Sequence, residues 1–153
     1  MFTYWLMFAV PALLALGKET KKLPATRVGQ ATIGFPGIIV VLVPTLLIGL
    51  RNEVGGDWSS YFRYLYATQG VMLEEVLEKH DPGYQLLNWL SNELDWDIFG
   101  VNLFSGLIFS VGLAFFCWSL PRPWLALAVA VPYVVTVVAM GYTRQGVALG
   151  LAM

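Results

Sequence analysis

The chain has 153 residues, 58% of them hydrophobic and 12% charged, with a formal net charge of −1 and a mean hydropathy of +0.67. A soluble domain carries about a quarter charged residues, so this chain cannot cover its surface with polar groups and needs lipid as solvent for much of it. The near-neutral charge and the absence of a basic tract argue against nucleic acid, and a lone Cys117 and a lone His80 exclude a disulfide framework and a cysteine- or histidine-based metal cluster within this stretch.

A spanning helix needs about 20 apolar residues, and runs approaching that length recur along the chain. The first covers residues 2–17 and stops at Lys18. It has neither a basic segment before it nor a small-residue cleavage site, so it reads as a span rather than a secretory leader. The second, 31–50, carries no charge; the third and fourth are 98–120 and 124–140. Pro11, Pro36, Pro44 and Pro132 lie in or near these runs, where membrane helices tolerate kinks. A fifth helix is expected to start at 143, and the sequence ends at Met153 inside it. The expectation is an all-α, polytopic transmembrane bundle, a single membrane domain over 1–153 that is the N-terminal part of a longer protein.

Lys18, Lys21, Lys22 and Arg27 face one acid, Glu19, between the first two runs, whereas residues 51–97 hold nine acids against Arg51, Arg63 and Lys79. Basic residues mark the cytoplasmic side. The N-terminus, the acidic segment 51–97 and the turn near Tyr142 are therefore expected outside.

Within that outer loop, Gly55-Gly56 predicts a turn and Asp57 a helix N-cap, with Trp58, Tyr61, Phe62 and Leu65 at helical spacing. Asp81 predicts a second N-cap, followed by Pro82 at the first helical position and a stripe of Leu86, Leu87, Leu90 and Leu94. Segments 57–69 and 82–95 are thus expected as amphipathic interfacial helices, with Trp89 and Trp96 as anchors and a short exposed helix or loop over 68–80 between them.

Arg51 closes the second run and Arg144 opens the fifth, both at the outer boundary where basic residues are scarce. The planar guanidinium fork matches phosphate or diphosphate; snorkelling, or pairing with Glu53 or Asp57, is the plainer alternative. Trp58, Tyr61, Tyr64, Tyr66, Tyr84 and Trp89 suit stacking on sugar rings and equally suit an interfacial aromatic belt. Glu53, Asp57 and Asp81 are candidate acid/base groups, with capping the stronger role for Asp81. No P-loop, GxSxG or HExxH occurs, so no cofactor or metal is implied.

Taken in order, Gly49-Leu50-Arg51, Gly56-Asp57, Tyr61, Asp81-Pro82-Gly83-Tyr84 with Leu86-Leu87, Phe99 leading into a span, and Arg144-Gln145-Gly146 resemble the EpsG family of exopolysaccharide biosynthesis proteins, which is similar to Wzy-type polymerases. The resemblance implies a multi-pass protein of the bacterial cytoplasmic (inner) membrane. It implies a glycosyltransferase that joins polyprenyl-diphosphate-linked oligosaccharide repeats in exopolysaccharide, capsule or O-antigen synthesis, with other polysaccharide-assembly proteins as partners. It further implies that Arg51 and Arg144 bind the diphosphate or the acceptor and that Asp57 orients Arg51 or an acceptor hydroxyl. Tyr61, Tyr84, Trp58 and Gln145 would contact the substrate. Two other classes compete: a transporter or flippase of lipid-linked sugars, and a non-catalytic membrane subunit packed through small-residue seams such as Gly106 and Gly112.

The charge asymmetry makes a direct prediction. In intact cells, a cysteine placed at Glu75 is labelled by an impermeant maleimide and one placed at Lys22 is not; the reverse pattern overturns the orientation.

Overall fold

The computed structural model describes residues 2–18, 35–55 and 58–153. Asp57, residues 31–34 and the basic segment with Lys21, Lys22 and Arg27 lie outside the described residues. All regular structure among those described is helical: α1 (Phe2–Lys18), α2 (Phe35–Gly49), α3 (Trp58–Tyr66), α4 (Leu73–Glu78), α5 (Pro82–Glu93), α6 (Asp97–Ser119), α7 (Pro123–Ala130), a π-helix (Val131–Ala139) and α8 (Thr143–Ala152).

α6 is the axis of the molecule. Its 23 residues rise about 34 Å, and it alone among the described helices is both long and apolar enough to cross a membrane. Stretches 3–17, 35–49 and 123–139 are also apolar helices, but shorter. Phe109, Leu113 and Cys117 of α6 bury against Val40 of α2, Leu127 of α7 and Val131 and Val135 of the π-helix. The outward faces are apolar too. Leu16, Phe35, Val129 and Leu151 are each more than 70% exposed, a density of bare hydrocarbon that water does not support.

Two seams let backbones approach closely. Where α2 crosses α6, the Thr45 hydroxyl donates to Val41 O at 2.7 Å and to Gly106 O at 3.4 Å, and a Cβ on Gly106 would lie 3.1 Å from that of Ile48. Where α6 crosses α8, Gly112 faces Gly150 backbone to backbone. Without a hydrophobic driving force in lipid, such van der Waals contact and short-range hydrogen bonding hold helices together.

The run expected as one helix over 124–140 changes register midway. Pro132 has no N–H, and its ring clashes with the carbonyl four residues back in an α-helix. From Val131 the turns widen to π geometry, and the Thr136 hydroxyl donates to the Val131 and Pro132 carbonyls. Hydrophobic periodicity carries no sign of this, because every residue in the stretch but Thr136 is apolar.

Between α2 and α6 in the chain lie α3, α4 and α5, at the positions anticipated for loop helices, with α4 in the acidic stretch. The leucine stripe is corrected. The buried face of α5 is Tyr84, Gln85, Asn88 and Ser91, while Leu86 and Leu94 are exposed. The reason is what α5 meets. Asn92 Nδ2 donates to Leu65 O at 2.9 Å and to Thr68 Oγ1 at 3.0 Å, and Ser91 Oγ donates to Asp97 O. Asn92 and Ser91 thus serve carbonyls of neighbouring segments that leucine could not, while Asn88 Nδ2 donates back to Tyr84 O at 2.8 Å within α5.

The α6–α8 seam should tolerate no side chain. A Cβ on Gly150 would stand 2.6 Å from Phe109 Cα and 2.7 Å from Ile108 O, both backbone atoms. Gly150→Ala is expected to cost about 1–3 kcal/mol and lower the melting temperature of the detergent-solubilised protein. An unchanged melt would contradict the packing.

Candidate functional site

Arg51 follows α2 directly and turns inward. It is 4% exposed. Its Nη1 donates to Met140 O and, at 3.4 Å, to Ala139 O; its Nη2 donates to Asn102 Oδ1 at 3.1 Å and to Thr143 Oγ1. The two carbonyls end the π-helix, where backbone acceptors have no partner within the helix and the helix dipole is negative. A cation there is a cap. Thr143, held from one side by Arg51, donates its own N–H to Tyr61 Oη at 3.0 Å. Arg51, Thr143 and Tyr61 thereby connect the ends of α2, the π-helix and α8 to α3, with Asn102 of α6 as a further ligand. Gly55 lies against the same turn at φ +108°, where a Cβ would come 2.6 Å from Gly141 O, so only glycine fits.

Burial lowers the proton affinity of the Arg51 guanidinium, against the smaller opposing influence of the Tyr61 and Tyr84 hydroxyls. Arginine stays charged regardless. Burial likewise pushes the Tyr84 phenol well above its ordinary range, reinforced by Tyr61 and opposed by Arg51 and Arg144. Tyr84 Oη is enclosed near Thr143 without a hydrogen bond of ordinary geometry, and it stays a neutral phenol.

Arg144 is one residue further along α8 and, about 100° around the helix, emerges on the other side. Its Nε lies 2.8 Å and its Nη2 2.7 Å from the same oxygen, Asp81 Oδ2, and its Nη1 donates to Tyr64 Oη at 3.3 Å. The guanidinium carbon is 5.3 Å from the Tyr64 ring centre and 5.9 Å from that of Tyr84, within cation–π range. Tyr84 in turn packs against Tyr61 at 6.0 Å and edge-on against Tyr64 at 6.2 Å. A third or more of the Arg144 and Asp81 side chains remains open to solvent. They border a cleft of about 560 Å³ whose walls include Ser60, Tyr61, Tyr64 and Gln145.

The expected capping role of Asp81 is corrected here. Its side chain makes no cap hydrogen bond, and its φ is +66°. A capping Asp normally has extended backbone that aims the carboxylate at the first free N–H groups of the helix. In the left-handed conformation the carboxylate leaves that position, and the charged fork of Arg144 takes it instead. Pro82 holds the first helical position as anticipated.

Other anticipated residues divide. Tyr61 and Gln145 line the cleft; Tyr84 is buried behind its wall; Trp58 packs edge-on to Phe62 at 5.7 Å and is not among the lining residues. Asp57 lies outside the described residues, and Glu53 is exposed. Sequence reasoning passed over Asn102 and Thr143. A fully buried asparagine in an otherwise apolar run was a usable signal, since polar groups in such places need a partner. Among the described residues no group of three or more His, Cys, Asp or Glu side chains converges as metal ligands.

Residues 35–153 match the family model described as the EpsG family. No curated protein and no solved structure matches the chain.

The Arg51 cap makes a stability prediction. Lysine keeps the charge but cannot reach Met140, Asn102 and Thr143 at once, so Arg51→Lys leaves buried acceptors unpaired, each at about 1–3 kcal/mol. Thermal unfolding in detergent should occur at clearly lower temperature; an equal melt for parent and Arg51→Lys would remove the cap from this account.

Proposed function

The chain belongs to the EpsG family, which makes it a membrane protein of exopolysaccharide biosynthesis, and on that premise we propose that it works as a glycan polymerase joining lipid-diphosphate-linked oligosaccharide repeats at the outer face of the bacterial cytoplasmic membrane. In this reading α1, α2, α6 and the helix continuing from α7 through the π-helix cross the bilayer, and α8 begins a fifth crossing. The bare apolar flanks support that arrangement, as do Trp96 stacked on Phe104 at one end of α6 and Trp118 against Trp124 at the other, the positions of interfacial aromatics. The charge distribution supports an outward-facing cleft.

The observation that carries the proposal is Arg144, a half-exposed guanidinium held in a polar cleft at the membrane boundary. In the transfer, an acceptor hydroxyl bonds to the anomeric carbon while the bond to the carrier diphosphate breaks. Negative charge then develops on the diphosphate and needs preorganised donors. Arg144 supplies them. Nη1 and Nη2 each retain one N–H beyond those given to Tyr64 and Asp81, a spacing suited to two phosphate oxygens. Arg51 acts through position, fixing the turn that carries Arg144. Asp57 is assigned to orienting Arg51 or an acceptor hydroxyl, Tyr61 to the wall of the sugar groove with Tyr84 packed behind it, and Gln145 to substrate contact.

Arg144→Lys keeps the charge and loses the fork. Polymer made by cells carrying this variant, measured on gels beside a membrane-fraction blot, is expected to fall about a hundredfold at unchanged protein level. Near-normal polymer would reduce Arg144 to an anchor of the helix end and leave the cleft without a function.

A further inference from the structure

The ion pair in the cleft is lopsided. Arg144 engages one oxygen of Asp81 through both Nε and Nη2, and among the described residues no hydrogen bond reaches Oδ1. Asp81 stays partly open to solvent on the cleft wall, beside Ser60 and Gln145. Its backbone is in the left-handed region, which Asp, like Asn, can adopt, and it forgoes the capping bond that would ordinarily justify an aspartate before Pro82. A carboxylate turned from its usual structural role and presented to a cleft points to a ligand.

We propose that Asp81 is the acceptor-hydroxyl group of the transfer: its Oδ1 accepts the hydrogen bond of the incoming sugar hydroxyl and takes the proton. This rests on the reading of the cleft as a diphosphate site. The acceptor oxygen forms its bond to the anomeric carbon, and the anomeric C–O bond breaks with its electron pair leaving on the diphosphate. The hydroxyl proton passes to Asp81 Oδ1 and later to solvent. One guanidinium then touches both partners, with its free N–H groups on the leaving diphosphate and its Nε and Nη2 on the carboxylate that holds the acceptor. That places nucleophile and leaving group along neighbouring edges of a single rigid plane, the kind of shared positioning that makes a two-substrate reaction effectively unimolecular. Glu53, the other candidate acid within the described residues, is exposed and does not line the cleft.

The assignment also fixes the sign of a binding change. In the resting site Asp81 competes with an incoming anion for Arg144. Asp81→Asn removes that competition and one negative charge while keeping shape, and asparagine tolerates left-handed backbone.

The test uses the intact protein in nanodiscs, with farnesyl diphosphate as a binding probe and lipid-linked repeats as substrate. Asp81→Asn is expected to bind farnesyl diphosphate at least as tightly as the parent and to lose transfer at least a hundredfold in kcat. Transfer within threefold of the parent would overturn the assignment. A tenfold loss of farnesyl diphosphate affinity would overturn it too, by making Asp81 a brace for Arg144. Binding that is indifferent to Arg144→Lys would instead overturn the diphosphate reading of the cleft, and this assignment with it.

Discussion

A guanidinium buried at the end of the π-helix is the constraint on which the outer half of this molecule depends. Taking Arg51 out of water costs several kcal/mol. That cost is offset only because carbonyls of Ala139 and Met140, the side-chain oxygen of Asn102 and the hydroxyl of Thr143 converge on it. The dependence is mutual. Without the cation, two helix-end carbonyls would face a dry interior, and the turn at 140–142 would have no reason to keep its shape. Arg51 and Met140 are 89 positions apart in the chain, so the contact closes the fold as well as the turn.

Two arginines that look alike in the sequence therefore divide the work. Arg51 is spent internally, on backbone and neutral side chains. Arg144 is steadied by a carboxylate and a tyrosine yet keeps donors and solvent access. Thr143, adjacent to Arg144, bonds to Arg51, so the inward residue sets the outward one. A buried charge that orders a turn and an exposed charge carried by that turn thus have separate duties.

Much of this was legible in the sequence. The apolar runs mark the long helices because burial and lipid exposure both demand hydrocarbon, and the pattern at Trp58, Tyr61, Phe62 and Leu65 locates α3 because one face repeats at helical spacing. The side-chain assignments were legible only in part. Arg51 and Arg144 stand out by type and place, but whether an arginine at a boundary turns in or out depends on which carbonyls lie unpaired nearby, and those come from the far end of the chain. Asp81 before Pro82 reads as a cap, and only its backbone conformation shows that it is not. The polar face of α5 was hidden behind a leucine stripe, because hydrophobicity ranks faces by affinity for oil and not by the hydrogen bonds that neighbours need. The π-helix lies in a stretch too uniformly apolar to show any period.

The contact between Gly112 and Gly150 has a mechanical consequence. Two backbones that touch without side chains make a pivot more readily than a wide interface, because no knob has to leave a hole for one rod to tilt on the other. Arg144 stands six residues from Gly150 along α8, a lever arm of about 9 Å. A tilt of about ten degrees at the pivot would carry the base of Arg144 by about 1.5 Å, roughly half the length of a hydrogen bond. The bond from Thr143 to Arg51 acts on the same arm near its tip and resists that swing. The outer end of α8 is thus a sprung lever, with its fulcrum among the apolar helices and its stop at the buried guanidinium.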